Sequence, residues 1–264
     1  MLKTFVLLML LASSCKIPKF SPWQTDLPRS MQDSTNKNLA LLMQDKEKDN
    51  TSQSFRFAII GDPQGTPGDF KSIVKNINNI PDVKFIVVLG DLTDFGLKHE
   101  YEWAFEALEE SRVPYFTAIG NHDAISHGKN LYSKMFGVFD YTFNYGGKKF
   151  VVWNNNKKEF NKNNFDWLSS QIDENSIVLS HIPPLLDVHT GMEVEAWLGL
   201  YERAKPLASL HGHRGTHEAY KWQEGETDVY VVAKAVGGNY ALITVGVDNK
   251  IGIEPCVKVC GSLL

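Results

Sequence analysis

At 264 residues the chain is long enough to bury a full core, as one large domain or two small ones. Its 27 basic and 31 acidic residues leave a formal net charge of −4, which excludes a general electrostatic pull toward nucleic acid or an anionic membrane. A charged substrate must then be bound locally, and no nucleic-acid partner is expected.

The chain starts with Lys3, a short apolar run over residues 5–11, and the small residues Ala12, Ser13 and Ser14 ahead of Cys15. The run is too short to span a bilayer as a mature helix and reads as a cleaved export signal. Residues 11–15 resemble a bacterial lipobox, which implies an envelope protein anchored to the membrane through a lipidated Cys15. The alternative is an ordinary signal with an incidental cysteine, giving a periplasmic or secreted protein. Residues 16–54 are polar with no long apolar period and read as a flexible tether, with at most a short helix near residues 39–43. A globular domain is expected over residues 55–264.

From residue 55 the pattern alternates. Residues 55–60 form a short apolar run ending at Gly61-Asp62, as a buried strand that delivers an acidic residue would. Phe70, Ile73, Val74, Ile77 and Ile80 recur at helical spacing until Pro81. A second strand over residues 84–89 runs into Gly90-Asp91, a helix follows over about residues 100–110, and a third strand over 115–119 ends at Gly120-Asn121-His122-Asp123. This order predicts right-handed crossovers and a parallel sheet with ligands at the carboxyl ends of its strands. Residues 141–155 read as a hairpin around Gly146-Gly147, and Phe165, Leu168 and Ile172 suggest a helix. Residues 176–181 form a strand ending in His181, a helix is expected over about 194–204, and Leu207-Ala208-Ser209-Leu210 leads into "HGHRGTH". Three strand-like runs close the chain between residues 228 and 253. Cys256 and Cys260 would stand about 13 Å apart in an extended strand, beyond disulfide reach. A bridge between them needs a turn or helix there, and no neighbouring ligands support a metal role.

Asp62, Asp91, Asn121, His122, His181 and His213 are oxygen and imidazole donors set at successive strand ends. Taken singly, an aspartate after a strand is an ordinary turn or helix cap, and a lone histidine an ordinary surface or core residue. As a set without thiolates they suit Mn, Fe, Mg or Zn, held so as to activate water against a phosphoryl group.

The order of these motifs resembles the calcineurin-like metallophosphoesterases: Asp62 in the first, Gly90-Asp91 in the second, "GNHD" at residues 120–123 in the third, Ser180-His181 in the fourth and Gly212-His213 in the fifth. The resemblance covers about residues 55–254. It implies a four-layer α/β/β/α sandwich, with the site along one edge of the sheets. It also implies one or two divalent ions, with Asp91 bridging them. One position would take Asp91, Asn121, His181 and His213, while Asn121 and His122 would act on the transferring group. At the other position this chain departs from the family's pattern. It has Gln64 where Asp-x-His supplies an imidazole, and Gly215 where Gly-His-x-His supplies a second. Asp62 and the carbonyl of Gln64 remain there as ligands, and His211 or His217 stand near enough in sequence to be considered. Arg214 reads equally as a phosphate clamp or as a solvated loop residue. Three outcomes stay open: a second ion bound weakly, a one-metal site, or lost catalysis with a retained phosphate pocket. The implied activity is hydrolysis of a phosphate ester, on a phosphorylated small molecule or lipid, by metal-activated water. The alternative is a degenerate member that binds a phosphorylated ligand or an envelope partner.

Overall fold

The computed structural model describes residues 21, 23–162, 164–184, 191–221, 227–258 and 260. The export signal and Cys15 lie outside the described residues.

The expected tether is not one over its described part. Helix α1 (Ser34–Leu42) buries Ser34, Thr35, Asn38 and Leu42, and Asn38 Oδ1 accepts from the Tyr115 backbone N–H at 2.8 Å. Further along, Tyr145 Oη donates to Asp45 at 2.7 Å and the Gly146 N–H to the Lys48 carbonyl at 2.6 Å. The segment is held by hydrogen bonds and a few apolar side chains, so its polar composition conceals its attachment.

Strand β1 (Phe55–Ile60) is followed by α2 (Pro67–Ile77), β2 (Val83–Leu89), α3 (Lys98–Leu108), β3 (Tyr115–Ala118) and α4 (Gly128–Met135). Proline opens α2, where its missing N–H costs nothing, and Phe70, Ile73, Val74 and Ile77 form its buried stripe. The Glu100 carboxylate caps the start of α3 by accepting from Leu97 N at 2.9 Å and Phe95 N at 3.1 Å. The hairpin β4 (Tyr141–Tyr145) and β5 (Lys148–Val152) then begins a second sheet. It continues past helices α5 (Lys157–Phe160) and α6 (Phe165–Gln171) to β6 (Ser176–Leu179), α7 (Gly191–Ala204), β7 (Ala208–His211), β8 (Glu218–Lys221) and β9 (Asp228–Val231). Strands β10 (Asn239–Val245) and β11 (Ile251–Val257) return to the first sheet.

The first sheet has the order β11-β10-β1-β2-β3 and the second β4-β5-β6-β7-β9-β8. Strands β1, β2 and β3 are parallel, as are β5, β6, β7 and β9, while β10 lies antiparallel beside β1. The inner faces of the two sheets meet over an aromatic core: Phe116 stacks on Phe143 at 4.2 Å and Phe143 on Phe150 at 4.8 Å. Helices α2, α3 and α4 cover the outer face of the first sheet, and α6 and α7 that of the second. This is the four-layer α/β/β/α sandwich, and five of its parallel strands end on one rim.

Cys256 and Cys260 are joined by a disulfide, their Cα atoms 5.0 Å apart. The strand ends at Val257 and Lys258 turns the chain with φ of 63°, so the turn that a bridge required is present. Among the described residues, no helix is long and apolar enough to cross a membrane.

Candidate metal centre

The rim gathers one side-chain set from both sheets. Asp62 follows β1, Asp91 follows β2, and Asn121 and His122 follow β3, while His181 follows β6 and His213 follows β7. Three of these leave their strands through the left-handed region, with φ of 41° at Asp62, 54° at Asp91 and 72° at His213. Such backbone costs on the order of 1–3 kcal/mol per residue and persists where the surroundings hold it. Here the holding contacts are visible: Gln64 N donates to the Asp91 carbonyl at 3.0 Å and His213 N to Asp62 Oδ1 at 2.8 Å. The glycines before the donors answer to close packing. A Cβ on Gly90 would stand 2.5 Å from His181 Nδ1, and one on Gly120 would fall on Asp91 Oδ1.

His181 is fully buried and is the centre of the cluster. Its Nδ1 lies 2.8 Å from the Leu89 carbonyl oxygen, an acceptor only, so Nδ1 carries a proton and Nε2 is the ring nitrogen that faces the cluster, able to ligate once its own proton leaves. Around Nε2 stand Asn121 Oδ1 at 3.0 Å, His213 Nδ1 at 3.0 Å and Asp91 Oδ2 at 3.3 Å. Ligand bonds of about 2.0–2.2 Å place neighbouring donors roughly 3 Å apart around an octahedral ion, so these separations fit one divalent cation. Asp91, His181 and His213 are placed to hold a metal, their donor atoms all lying within 4.8 Å of one another. A single proton on Nε2 cannot serve three lone-pair donors, whereas a cation serves all four groups.

The electrostatics agree. Burial opposes charge on His181, but the Asp91 and Asp62 carboxylates outweigh it and raise the imidazole to about 9. Burial, then the neighbouring His181 charge, lowers His213 to about 4. Burial raises the Asp62 carboxyl to about 6, against the pull of His181. Asp91 is lowered despite burial, by His181 and by its hydrogen bonds.

Asp62 and Gln64 stand outside the Asp91–His181–His213 group, with Asp62 Oδ1 3.9 Å from His181 Nδ1. Asp62 Oδ2 and Gln64 Oε1 are buried atoms with no hydrogen-bond partner, two oxygens turned to no protein donor. Neither histidine considered as a replacement imidazole belongs to the Asp91–His181–His213 group, although His217 Nε2 is buried without a hydrogen-bond partner. His211 is fully buried, with Nδ1 3.1 Å from Ser180 Oγ and Nε2 2.7 Å from Ser209 Oγ. His217 has Nδ1 2.6 Å from Tyr230 Oη. Arg214 is paired with Glu218 at 3.1 Å, which leaves its guanidinium engaged outside the cluster.

His122 is held separately from the metal cluster. Its backbone N–H donates to Asp91 Oδ1 at 3.0 Å and its Nδ1 to the Asp94 carbonyl at 2.8 Å, leaving Nε2 as the open ring nitrogen.

Sequence reasoning gave Asp123 no role. It is fully buried and accepts from Thr93 N at 2.9 Å, Thr93 Oγ1 at 3.0 Å and Gly120 N at 2.9 Å. It staples the loop after β2 to the loop after β3, and burial raises its carboxyl to about 7. Its place at the end of "GNHD" was the available signal, but spacing does not separate a ligand from a staple.

Residues 55–240 match the family of calcineurin-like phosphoesterases. The chain belongs to that family. None of the curated proteins matches it. Among solved structures, this phosphoesterase-family chain is similar to GAP50, described as the anchor in the inner membrane complex of Plasmodium. The TM-score is 0.62 at 15% identity, over 81% of this chain and 87% of that one. PhoD is similar with a TM-score of 0.57 at 9% identity, over 80% and 69% of the two chains. The purple acid phosphatase PPD1 from yellow lupin (Lupinus luteus) seeds gives 0.54 at 16% identity, over 79% of this chain. The family member described here spans only 52% of that phosphatase. At these identities the likeness is one of fold.

Proposed function

We propose that the protein hydrolyses a phosphate ester at this rim, with one strong metal position made by Asp91, Asn121, His181 and His213. The observation that carries the reading is the convergence of three donors on His181 Nε2 at 3.0–3.3 Å. A divalent ion held there would supply Lewis-acid polarisation of a phosphoryl oxygen and would lower the pKa of water enough to provide a hydroxide nucleophile near neutral pH. The protein's own groups do the rest. Leu89 fixes the His181 tautomer, and Asp91 spans the site, with Oδ1 on the His122 backbone and Oδ2 toward His181. With Nδ1 anchored on Asp94, His122 presents Nε2 to stabilise the transferring group or to give the leaving oxygen its proton.

Asp62 and Gln64 form a second, weaker position, since a neutral carboxamide oxygen replaces an imidazole and Gly215 offers no side chain. Hard ions such as Mg or Mn suit it better than Zn. A cavity of about 120 Å³ touches Asn121 and His213 and is lined further by Asn155, Lys157, Lys158 and Ile182. Glu159 shares this lining and Lys157 is paired with Glu193 at 2.9 Å, so Lys158 is the lining cation offered to a phosphorylated small molecule or a lipid headgroup. We also place the protein outside the cytoplasm, anchored through Cys15, and the disulfide between Cys256 and Cys260 suits that oxidising setting.

The test is direct. The purified protein is assayed with aryl phosphate mono- and diesters across Mn, Mg, Fe, Co and Zn, with metal content measured in parallel. Hydrolysis with about one or two ions per chain is expected. A folded protein that binds no metal and cleaves nothing would instead mark a degenerate phosphate- or partner-binding member, a reading favoured by the neutral Gln64 and by Gly215, which offers no side chain.

A further inference from the structure

The metal cluster leaves out one buried oxygen. Asp62 Oδ1 accepts from His213 N, but Oδ2 has no hydrogen-bond partner although it is buried, and a buried carboxylate oxygen without compensation is costly. A cation stands beside it. Lys234 Nζ lies 3.8 Å from Asp62 Oδ2, in ion-pair range but beyond a hydrogen bond.

Lys234 is held in that position by the backbone. Gly61 and Lys234 form a parallel bridge, Ala235 N donates to the Gly61 carbonyl at 2.8 Å, and the Asn239 carboxamide donates to the Lys234 carbonyl at 3.2 Å. The lysine is thereby fastened to the residue before Asp62. The side chain remains 40% exposed, which leaves the ammonium free to move between Asp62 and an anion arriving from solvent.

We propose that the Lys234 ammonium takes the place of a second metal ion: it balances Asp62 Oδ2 in the resting protein and binds phosphoryl oxygens of the incoming ester. A compact ammonium on a flexible stem is suited to both tasks. The charge-balancing half stands on the Asp62–Lys234 geometry alone. The phosphate-binding half rests on the phosphoester reading of the site.

The experiment compares the full chain with K234Q and K234R, whose folding is verified by thermal melting. Mn is titrated by electron paramagnetic resonance, and inorganic phosphate by calorimetry at a Mn concentration that fills only the tight position. In the wild type one Mn binds tightly and a second weakly. K234Q is expected to bind the second Mn about tenfold more tightly and phosphate about tenfold more weakly, with K234R near wild type in both. Second-site Mn and phosphate affinities in K234Q both unchanged from wild type would overturn the proposal. A changed Mn affinity with unchanged phosphate binding would overturn its phosphate half and retain the charge half. Loss of the phosphoesterase reading is a separate result: no ester is cleaved under any metal, while the effect of K234Q on the second Mn persists.

Discussion

His122 and His181 both touch Asp91, yet their ring nitrogens are committed to different tasks. His181 gives Nδ1 to the Leu89 carbonyl and turns Nε2 to Asp91, Asn121 and His213. His122 gives Nδ1 to the Asp94 carbonyl and meets Asp91 only through its backbone. Replacing His122 by alanine should therefore lower kcat by about 10²–10⁴-fold and leave the tight metal affinity near that of the wild type. His181→Ala removes the central donor, and metal affinity should fall by more than the roughly 10–100-fold typical of losing a supporting residue. Steady-state kinetics at saturating metal, paired with a Mn titration, separate the two. Equal loss of metal binding in both variants would show that His122 acts through the ion. The grouping of these residues was legible in the sequence, because each sits two to four residues past an apolar strand. Their tautomers were not, since these depend on distant backbone carbonyls, Leu89 at the end of β2 for His181 and Asp94 in the loop after it for His122.

Between elements, the geometry of the rim depends on Asp123. Three donors from two loops point at one buried carboxylate, and two of them are backbone N–H groups. Asp123→Ala leaves these donors unsatisfied and should cost about 2–4 kcal/mol, read as a lowered midpoint in thermal or urea unfolding. Asp123→Asn keeps one acceptor and should recover part of the loss. The segment before β1 invites a second test. Leu42 is buried in the layer between the sheets, so Leu42→Ala should cost about 2–4 kcal/mol, whereas the same change in a solvated tether would leave unfolding unaltered. Sequence periodicity found β1, β2, β3 and β6 with helices α2 and α3, but not α4, whose Leu131, Tyr132 and Met135 are buried against the first sheet. It caught only the end of α1, which attaches through Asn38 and backbone groups, and missed β8, a four-residue edge strand with alternating partial burial. It also left open the bridge between Cys256 and Cys260, because nothing local announced the turn at Lys258.

At the scale of the molecule, the sandwich was readable because two parallel strand sets with intervening helices admit few arrangements. The insertion of β10 beside β1 was not readable, being a pairing of distant segments. That arrangement makes a rim where charge is buried, and its stability must then depend on protons when metal is withheld. Three groups have folded values above their ordinary ones: Asp62 rises from 3.8 to about 6 and Asp123 from 3.8 to about 7, through burial. His181 rises from 6.5 to about 9, through Asp91 and Asp62 working against burial. The native state holds these protons more tightly than the unfolded chain, so their stabilisation is complete below the unfolded values and is lost as pH climbs through the folded ones. His213, lowered from 6.5 to about 4, works in the opposite sense, but its gain is complete once pH passes 6.5. From about pH 6.5 to 9 the loss is therefore carried mainly by His181, on the order of 3 kcal/mol. A metal must displace a proton from His181 Nε2, so its affinity should rise over the same interval. Thermal melting in chelator is expected to show a midpoint that falls from pH 6.5 to 9. With saturating Mn the midpoint should hold or rise, widening the gap between the two curves. A gap that stays constant across this interval would mean that His181 does not exchange its proton for the ion.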